Sequence, residues 1–455
     1  MKKISFKNRE EYTYYLFMYL KNKQKDLFRE EFLDLHPTDQ VDIFKQMSLE
    51  KRTQVYDYLS VDEFAELFTG LKPDEQKQVF TELDDDYAHE MLCELPADEL
   101  TDFFNVLPEH ITTYLLNKLD KADAENIRNL LSYNEHSAGS LMTTEYVKAS
   151  AQDTVSLIIE RLRLEGMDAE TIYYIYIVDE FNKLTGVVSL RELLSAPPSS
   201  TVNTIMKEQI IFVSPATDQE QVSTIIRDYN LLAVPVLTSD EIIIGIVTVD
   251  DVMDVIEEET TEDLGEFAAV KGALDLEVTA LTATKKRLPW LMLLLFIGLF
   301  TAGLIRSFEA TLAEVAVLAI FIPMIADMAG NTGTQSLAVV VRGLALRKFD
   351  QKTILRLLKR EAATGFLMGL VCGILASLIG FLIPGGSATL GIIIGVSLFI
   401  TVLSSTLSGT LIPLVIHRLK VDPAVASGPF ITTINDIIGL FVYFTIATSL
   451  LHYLS

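Results

Sequence analysis

The sequence predicts a multidomain membrane protein: an all-α helical-repeat N-terminal domain, an α/β region built from two copies of one unit, a connecting helix and a five-helix α transmembrane domain. Three observations carry that reading. An apolar residue recurs every twelve positions near the N-terminus, one motif occurs twice in the middle, and long apolar stretches are confined to the last third. The 455 residues suffice for several folding units. A positive mean hydropathy in a chain that is 22% charged means that the two properties occupy different parts.

Charge divides the chain in the same way. From residue 284 onward there are 13 Lys+Arg against 7 Asp+Glu, which leaves 24 of the 37 basic and 55 of the 62 acidic residues in positions 1–283. So acidic a region repels nucleic acid and anionic lipid heads and concentrates cations, making a metal or a basic protein its natural partner. The N-terminus, MKKISFKNREEYTYYLF, has no continuous apolar stretch of the secretory kind, so the first 280 residues are expected in the cytoplasm. Cys93 and Cys372 cannot build a disulfide framework or a thiolate metal site. None of the six histidines stands in an HxxxH or HExxH spacing, and no nucleophile–base pair appears, so neither zinc chemistry nor an enzyme is indicated.

The N-terminal period runs through Leu35, Met47, Leu59, Leu71, Leu83, Leu95, Leu107 and Leu119. Proline and carboxylates follow several of these markers, as in LKPDE at 71 and LPADE at 95. Proline suits a first helical turn and carboxylates favour the positive end of the helix dipole, so each unit reads as one short helix and a turn. In the middle region GVVSLRELL (186–194) echoes GIVTVDDVM (245–253). Each copy follows an apolar β-rich run, Ile172–Val178 or Leu232–Leu237, and a helical pattern, Val155–Leu164 or Val222–Tyr229. The order β–α–β–β–α and the shared ending resemble a tandem pair of CBS domains.

Five apolar stretches follow: Leu288–Ile305, Val315–Leu346 with one interruption, Ala362–Ile383, Leu390–Ile416 and Phe430–Leu451. Each has the ~20 residues a helix needs to cross a bilayer. Lys285, Lys286 and Arg287 precede the first span. Arg347, Lys348, Lys352, Arg356, Lys359 and Arg360 fill the second connection, and Arg418 and Lys420 the fourth. The intervening connections carry only Arg306 or no charge, so the positive side is that of the soluble domains and the C-terminus faces outward.

Asp436 lies inside the fifth span, where a carboxylate is costly unless it faces water, a cation or a partner. An ion pathway is one reading and a buried pairing with a hydroxyl or arginine the other; Thr432, Thr433 and Asn435 add oxygen donors that favour the pathway. In the second span, PMIADMAGNTGTQ (323–335) interrupts apolar sequence with glycines and small polar residues. Loosened backbone lining a cavity is one reading of this segment and close packing of small residues between helices the other, with nothing in the segment favouring either. Mg²⁺ keeps its waters and is met through one or two carboxylates, which fits an aspartate in a wet pore. After the second repeat, Asp251, Asp254, Glu258 and Glu262 share one helical face, and Asp98 and Asp102 form an i, i+4 pair. Such faces are solvated surfaces, or sites that divalent ions bridge.

With those residues in hand, the chain resembles the MgtE family of magnesium channels over nearly all of residues 30–455. Its most specific segments are AGNTGTQ (329–335), DPAVASGP (422–429) and TTIND (432–436). The resemblance implies a homodimer in the cell membrane with its pore on the two-fold axis. It gives Asp436 the recognition of hydrated Mg²⁺, with Asn331, Gly330 and Thr432 lining the same pore. The family's cytoplasmic sensing carboxylates fall on Glu66, Asp98, Asp102, Glu220, Asp251, Asp254, Glu259, Glu262, Asp263 and Asp422. The implied division is a helical-repeat domain at 1–136, CBS domains at 137–200 and 201–259, a connecting plug helix at 260–284 and a pore domain at 285–455. The expected function is Mg²⁺-selective uptake closed by cytoplasmic Mg²⁺; a transporter of Mn²⁺, Co²⁺ or Ca²⁺ and a non-transporting CBS membrane sensor are the alternatives. Some members bind ATP at the CBS pair, and Tyr174 and Arg191 match, but Glu192 replaces the aspartate that would hold a ribose hydroxyl. Ala329 for the usual glycine and Asn230 for an acidic sensing residue are further departures.

Overall fold

The computed structural model describes residues 9–166, 169–270, 278–345, 351–419 and 427–450, in two compact units that meet in sequence at Ile256/Glu257. The first unit opens with helices α1 (Arg9–Lys21), α2 (Lys25–Leu33), α3 (Pro37–Lys45), α4 (Leu49–Tyr58), α5 (Val61–Thr69), α6 (Pro73–Phe80), α7 (Asp85–Glu94), α8 (Ala97–Asn105), α9 (Glu109–Leu116) and α10 (Lys121–Leu130). From Leu35 on, the twelve-residue markers fall in the turns or at the C-caps between these helices. Leu35, Met47, Leu59, Leu71, Leu95 and Leu119 are buried, and Leu83 and Leu107 pack against the same core. A residue that closes one helix while anchoring it inward explains the period better than a stripe along any single helix. Pro37 and Pro73 occupy first-turn positions, whereas Pro96 and Pro108 stand one step earlier, at the N-caps of α8 and α9.

The α/β part follows with α11 (Ala138–Leu141), β1 (Tyr146–Ser150), α12 (Val155–Glu165), β2 (Thr171–Val178), β3 (Leu184–Ser189), α13 (Leu190–Ser195), α14 (Gln219–Tyr229), β4 (Ala233–Leu237), β5 (Ile243–Thr248) and α15 (Val249–Phe267). β1 lies parallel to β2 and β2 antiparallel to β3, while β4 and β5 form an antiparallel pair. The second copy's first strand is reduced to a single parallel bridge, Val213 to Val236. Pro215 two residues on has no N–H to extend the ladder. A bridge between Lys183 and Ile242 ties the two copies together.

The second unit holds five helices long and apolar enough to cross a membrane. They are α16 (Ala280–Ser307), α18 (Ile322–Ala345) extended by a 3₁₀ turn at Ala316–Phe321, α19 (Gln351–Leu382), α20 (Ala388–Arg418) and α21 (Gly428–Ser449); the short α17 (Glu309–Glu314) precedes the 3₁₀ turn. α16 buries no side chain within the unit, which leaves its apolar surface to lipid or another chain. The region 260–284 is shared between the end of α15 and the start of α16, with residues 271–277 outside those described.

Of the two readings of residues 323–335, close packing of small residues holds. α18 runs unbroken through residues 323–335, and the irregular backbone lies before it, in the 3₁₀ turn. The helix accommodates the polar residues: the hydroxyls of Thr332 and Thr334 are satisfied by donating to the carbonyls of Met328 and Gly330 one turn back. The glycines serve packing. A Cβ on Gly330 would stand 2.5 Å from Thr432 Cγ2 and 3.2 Å from Asp436 Oδ1, and one on Gly333 would stand 1.7 Å from Asn435 Nδ2. α18 and α21 therefore approach more closely than any side chain at these positions allows.

Candidate ion pathway and cytoplasmic acidic sites

Close approach at Gly330 and Gly333 fixes the register of α21. Thr334 and Thr432 hydroxyls lie 3.1 Å apart. The fully buried Asn435 accepts a hydrogen bond from Ser408 of α20, so three helices lock at one level. The next residue, Asp436, is thereby held half-buried against Gly330. Its Oδ1 is shielded from solvent and accepts no hydrogen bond among the described residues. A carboxylate oxygen in that condition at membrane depth needs a compensating cation or its water shell. Asn331 is exposed on α18 in a groove of about 870 Å³ that Thr334, Gln335 and Phe267 also line. Phe267, the last residue of α15, also packs against the buried cluster of Leu337 and Ile431.

In the first unit two helix N-termini, of α8 and α15, converge on a set of carboxylates. Asp98 Oδ1 is buried and unpartnered. Burial, then the charges of Asp251 and Glu170, push the Asp98 carboxyl well above its ordinary value. Burial followed by Asp102, Asp251, Glu170 and Asp254 raises Glu99 to about 7. Burial likewise raises Asp251 and Glu170. Glu145 reaches across to accept from the Ala97 backbone N–H at 3.2 Å, capping α8. Asp251 itself caps α15, accepting from the backbone N–H of Thr248 as well as from its hydroxyl. Among the described residues no three acidic, His or Cys side chains come close enough to form a direct-ligand cage. The arrangement suits a hydrated divalent ion that touches each carboxylate through water.

The structure thus brings Asp98, Asp102, Asp251 and Asp254 into one electrostatic neighbourhood. Glu66 is exposed on α5 and Glu220 lies in the first turn of α14; neither is among the charges acting most strongly on Asp98 or Glu99. Glu259, Glu262 and Asp263 lie further along α15, and Asp422 falls outside the described residues. Asn230 closes α14 in the left-handed conformation at φ 51°, a role asparagine fills readily and a more strained one for most side chains. Tyr174 is half-buried on β2 and Arg191 exposed on α13. Glu192 caps α13 through Ser189 and pairs with Lys207 at 2.7 Å. Burial pushes its carboxyl up, but the bonds from Lys207 and Ser189 outweigh this and bring it to about 2.

Sequence reasoning missed Glu99, Glu145 and Glu170. Glu99 adjoins the marked Asp98, but the other two become neighbours only because β1 and β2 pair with Tyr146 opposite Thr171.

The raised Glu99 predicts a pH effect. An acid whose carboxyl is raised in the assembled state takes up a proton on assembly, so its contribution is complete below about pH 4.5 and lost as pH rises through about 7. In metal-free full-length protein, hydrogen exchange at α8, corrected for intrinsic rates, should show protection falling by about 2 kcal/mol over that window. Millimolar Mg²⁺ should restore it at pH 8. Protection independent of pH without metal would exclude Glu99 as the responding group.

A half-buried carboxylate with one shielded, unpartnered oxygen at a three-helix lock inside five candidate spans, joined to an acidic helical array and a tandem CBS pair, fits a membrane cation transporter. Family models agree: divalent cation transporter over residues 322–446, MgtE intracellular N domain over 35–136 and CBS domain over 138–199 and 202–258. The magnesium transporter MgtE of Bacillus subtilis (strain 168) is 43% identical over 337 residues, 74% of each chain. That of Thermus thermophilus is 39% identical over 336 residues, 73% of this chain and 74% of its own. The chain belongs to the MgtE family. Among solved structures, the soluble part of a magnesium transporter matches with 39% identity and a TM-score of 0.54, over 55% of this chain and 99% of the other. The cytosolic domain of the Mg²⁺ channel MgtE in complex with ATP matches with 35% identity and a TM-score of 0.51, over 53% and 99%.

Proposed function

We propose that this protein is a Mg²⁺ channel of the cell membrane, a homodimer that admits the hydrated ion past Asp436 and is closed by Mg²⁺ bound at its own cytoplasmic carboxylates. The observation that carries the pore is the shielded, unpartnered Asp436 Oδ1 beside Gly330 and Thr432. A carboxylate at that depth suits an ion that keeps its waters, and a second copy facing the first would supply a matching aspartate. Membrane potential then drives the ion inward, and the positive charge of the alternate connections supports an orientation with the soluble domains inside and the C-terminus outside.

Closure follows from the acidic cluster. Without metal, Asp98, Glu99, Glu170 and Asp251 repel and favour separation of the modules that carry them; divalent ions offset the repulsion and favour assembly. Phe267 lining the groove beside Asn331 supports α15 as the element that couples assembly to the pore. ATP enters as a ligand of the CBS pair at Tyr174 and Arg191, where a ribose hydroxyl must compete with Lys207 for Glu192.

Mg²⁺ flux into liposomes carrying the full-length protein tests this, with Mg²⁺ varied on the cytoplasmic side. Flux should be present at micromolar cytoplasmic Mg²⁺ and fall steeply as that concentration rises. No flux under any condition would remove the channel reading, and flux indifferent to cytoplasmic Mg²⁺ would remove the sensor.

A further inference from the structure

One carboxylate of the membrane unit is left unused by this reading. Asp327 stands on α18 well inside the span Ala316–Leu344, and Pro323, Asp327, Asn331 and Gln335 form an i, i+4 series exposed along a single face. Asp327 makes no ion pair or side-chain hydrogen bond among the described residues. An ionised group left so at membrane depth marks an ion or substrate route unless a partner neutralises it. α18 runs antiparallel to α21, since Thr334 meets Thr432 while Gly330 meets both Thr432 and Asp436. Asp327, a turn further from the basic C-terminal end of α18, therefore sits on the outer side of Asn331. Asp327 also lies three residues before Gly330, the position against which Asp436 Oδ1 rests.

We propose that Asp327 is a second carboxylate of the ion pathway, placed outside Asp436, that captures the hydrated divalent cation and hands it on past the Asn331 amide. The inference rests on the pore assignment of Asp436. Two like charges in series without a counter-ion repel, and a divalent ion beside either relieves both. Binding is then firm enough to draw the ion in, while the second site keeps it from resting too long at the first. Asn331 and Gln335 continue the face with neutral donors and acceptors for the ion's water shell.

Mg²⁺ flux into liposomes is measured against external Mg²⁺ for the full-length wild type, Asp327→Asn, Asp327→Glu and Asp436→Asn. Asp327→Asn should raise the half-saturating Mg²⁺ on the order of tenfold, the effect of removing one charge several ångströms from a divalent ion, with a smaller change in maximal flux. Asp327→Glu should restore most of the affinity. An unchanged half-saturation in Asp327→Asn overturns the proposal, as does an equal loss in Asp327→Glu, which marks a packing role. If Asp436→Asn conducts like the wild type, the pore reading fails first; if it is silent while Asp327→Asn is unaltered, only the role of Asp327 falls.

Discussion

Asp436→Ala should reduce Mg²⁺ flux by about a hundredfold or more, the largest effect expected of any single substitution in the membrane unit. The argument rests on what remains once the carboxylate is gone. Gly330 presents no side chain, Thr432 is engaged with Thr334, and Asn435 is turned away into its contact with Ser408. Asp327 lies a turn further out along α18, so it cannot replace the charge lost at this level, where a dication must enter the low-dielectric centre of the bilayer. Asp436→Asn separates charge from shape, because the amide fills nearly the same space beside Gly330 and should leave the three-helix lock intact. Both variants should therefore elute from gel filtration as the wild type does while conducting little. Ordinary uptake by either one would sink the assignment of the pathway.

How far this was legible from sequence depends on the range of the contacts. The helical array was readable because each twelve-residue leucine acts locally, closing its own helix and burying itself beside the next. Asp436 was readable because a carboxylate in an apolar run is anomalous without any knowledge of its neighbours. The unbroken α18 was not: glycine and small polar residues signal either a broken helix or a close crossing. Only the approach of Thr432 and Asn435 decides between them. The acidic cluster around Asp98 divides in the same way. Asp98 and Asp102 share a visible i, i+4 spacing, and the first turn of α15 is visibly acidic. Glu145 and Glu170 join them through the pairing of β1 with β2 and through a cap on a helix some forty-eight residues away, contacts with no local signature.

Asp98→Asn combined with Asp251→Asn should flatten the response of flux to cytoplasmic Mg²⁺, moving the half-inhibiting concentration upward by about tenfold or more. These two carboxylates come from different modules, and each is raised mainly by burial, with the other acidic groups adding repulsion. In the proposed gating, repulsion separates the modules and bound Mg²⁺ joins them, so neutralising both residues weakens the two together. Driving a closed state from 1% to 99% needs about 5.5 kcal/mol of preferential binding, and a water-mediated site supplies only a fraction of that. Several sites must then act in concert, and losing one costs on the order of 1–2 kcal/mol and some steepness, while Asp436 and the maximal flux are untouched. Hydrogen exchange at α8 offers an independent reading, because the double variant should no longer gain protection when Mg²⁺ is added. A wild-type inhibition curve together with wild-type Mg²⁺-induced protection would place the sensor elsewhere on the acidic half, with Glu259, Glu262 and Asp263 further along α15 the next residues to neutralise.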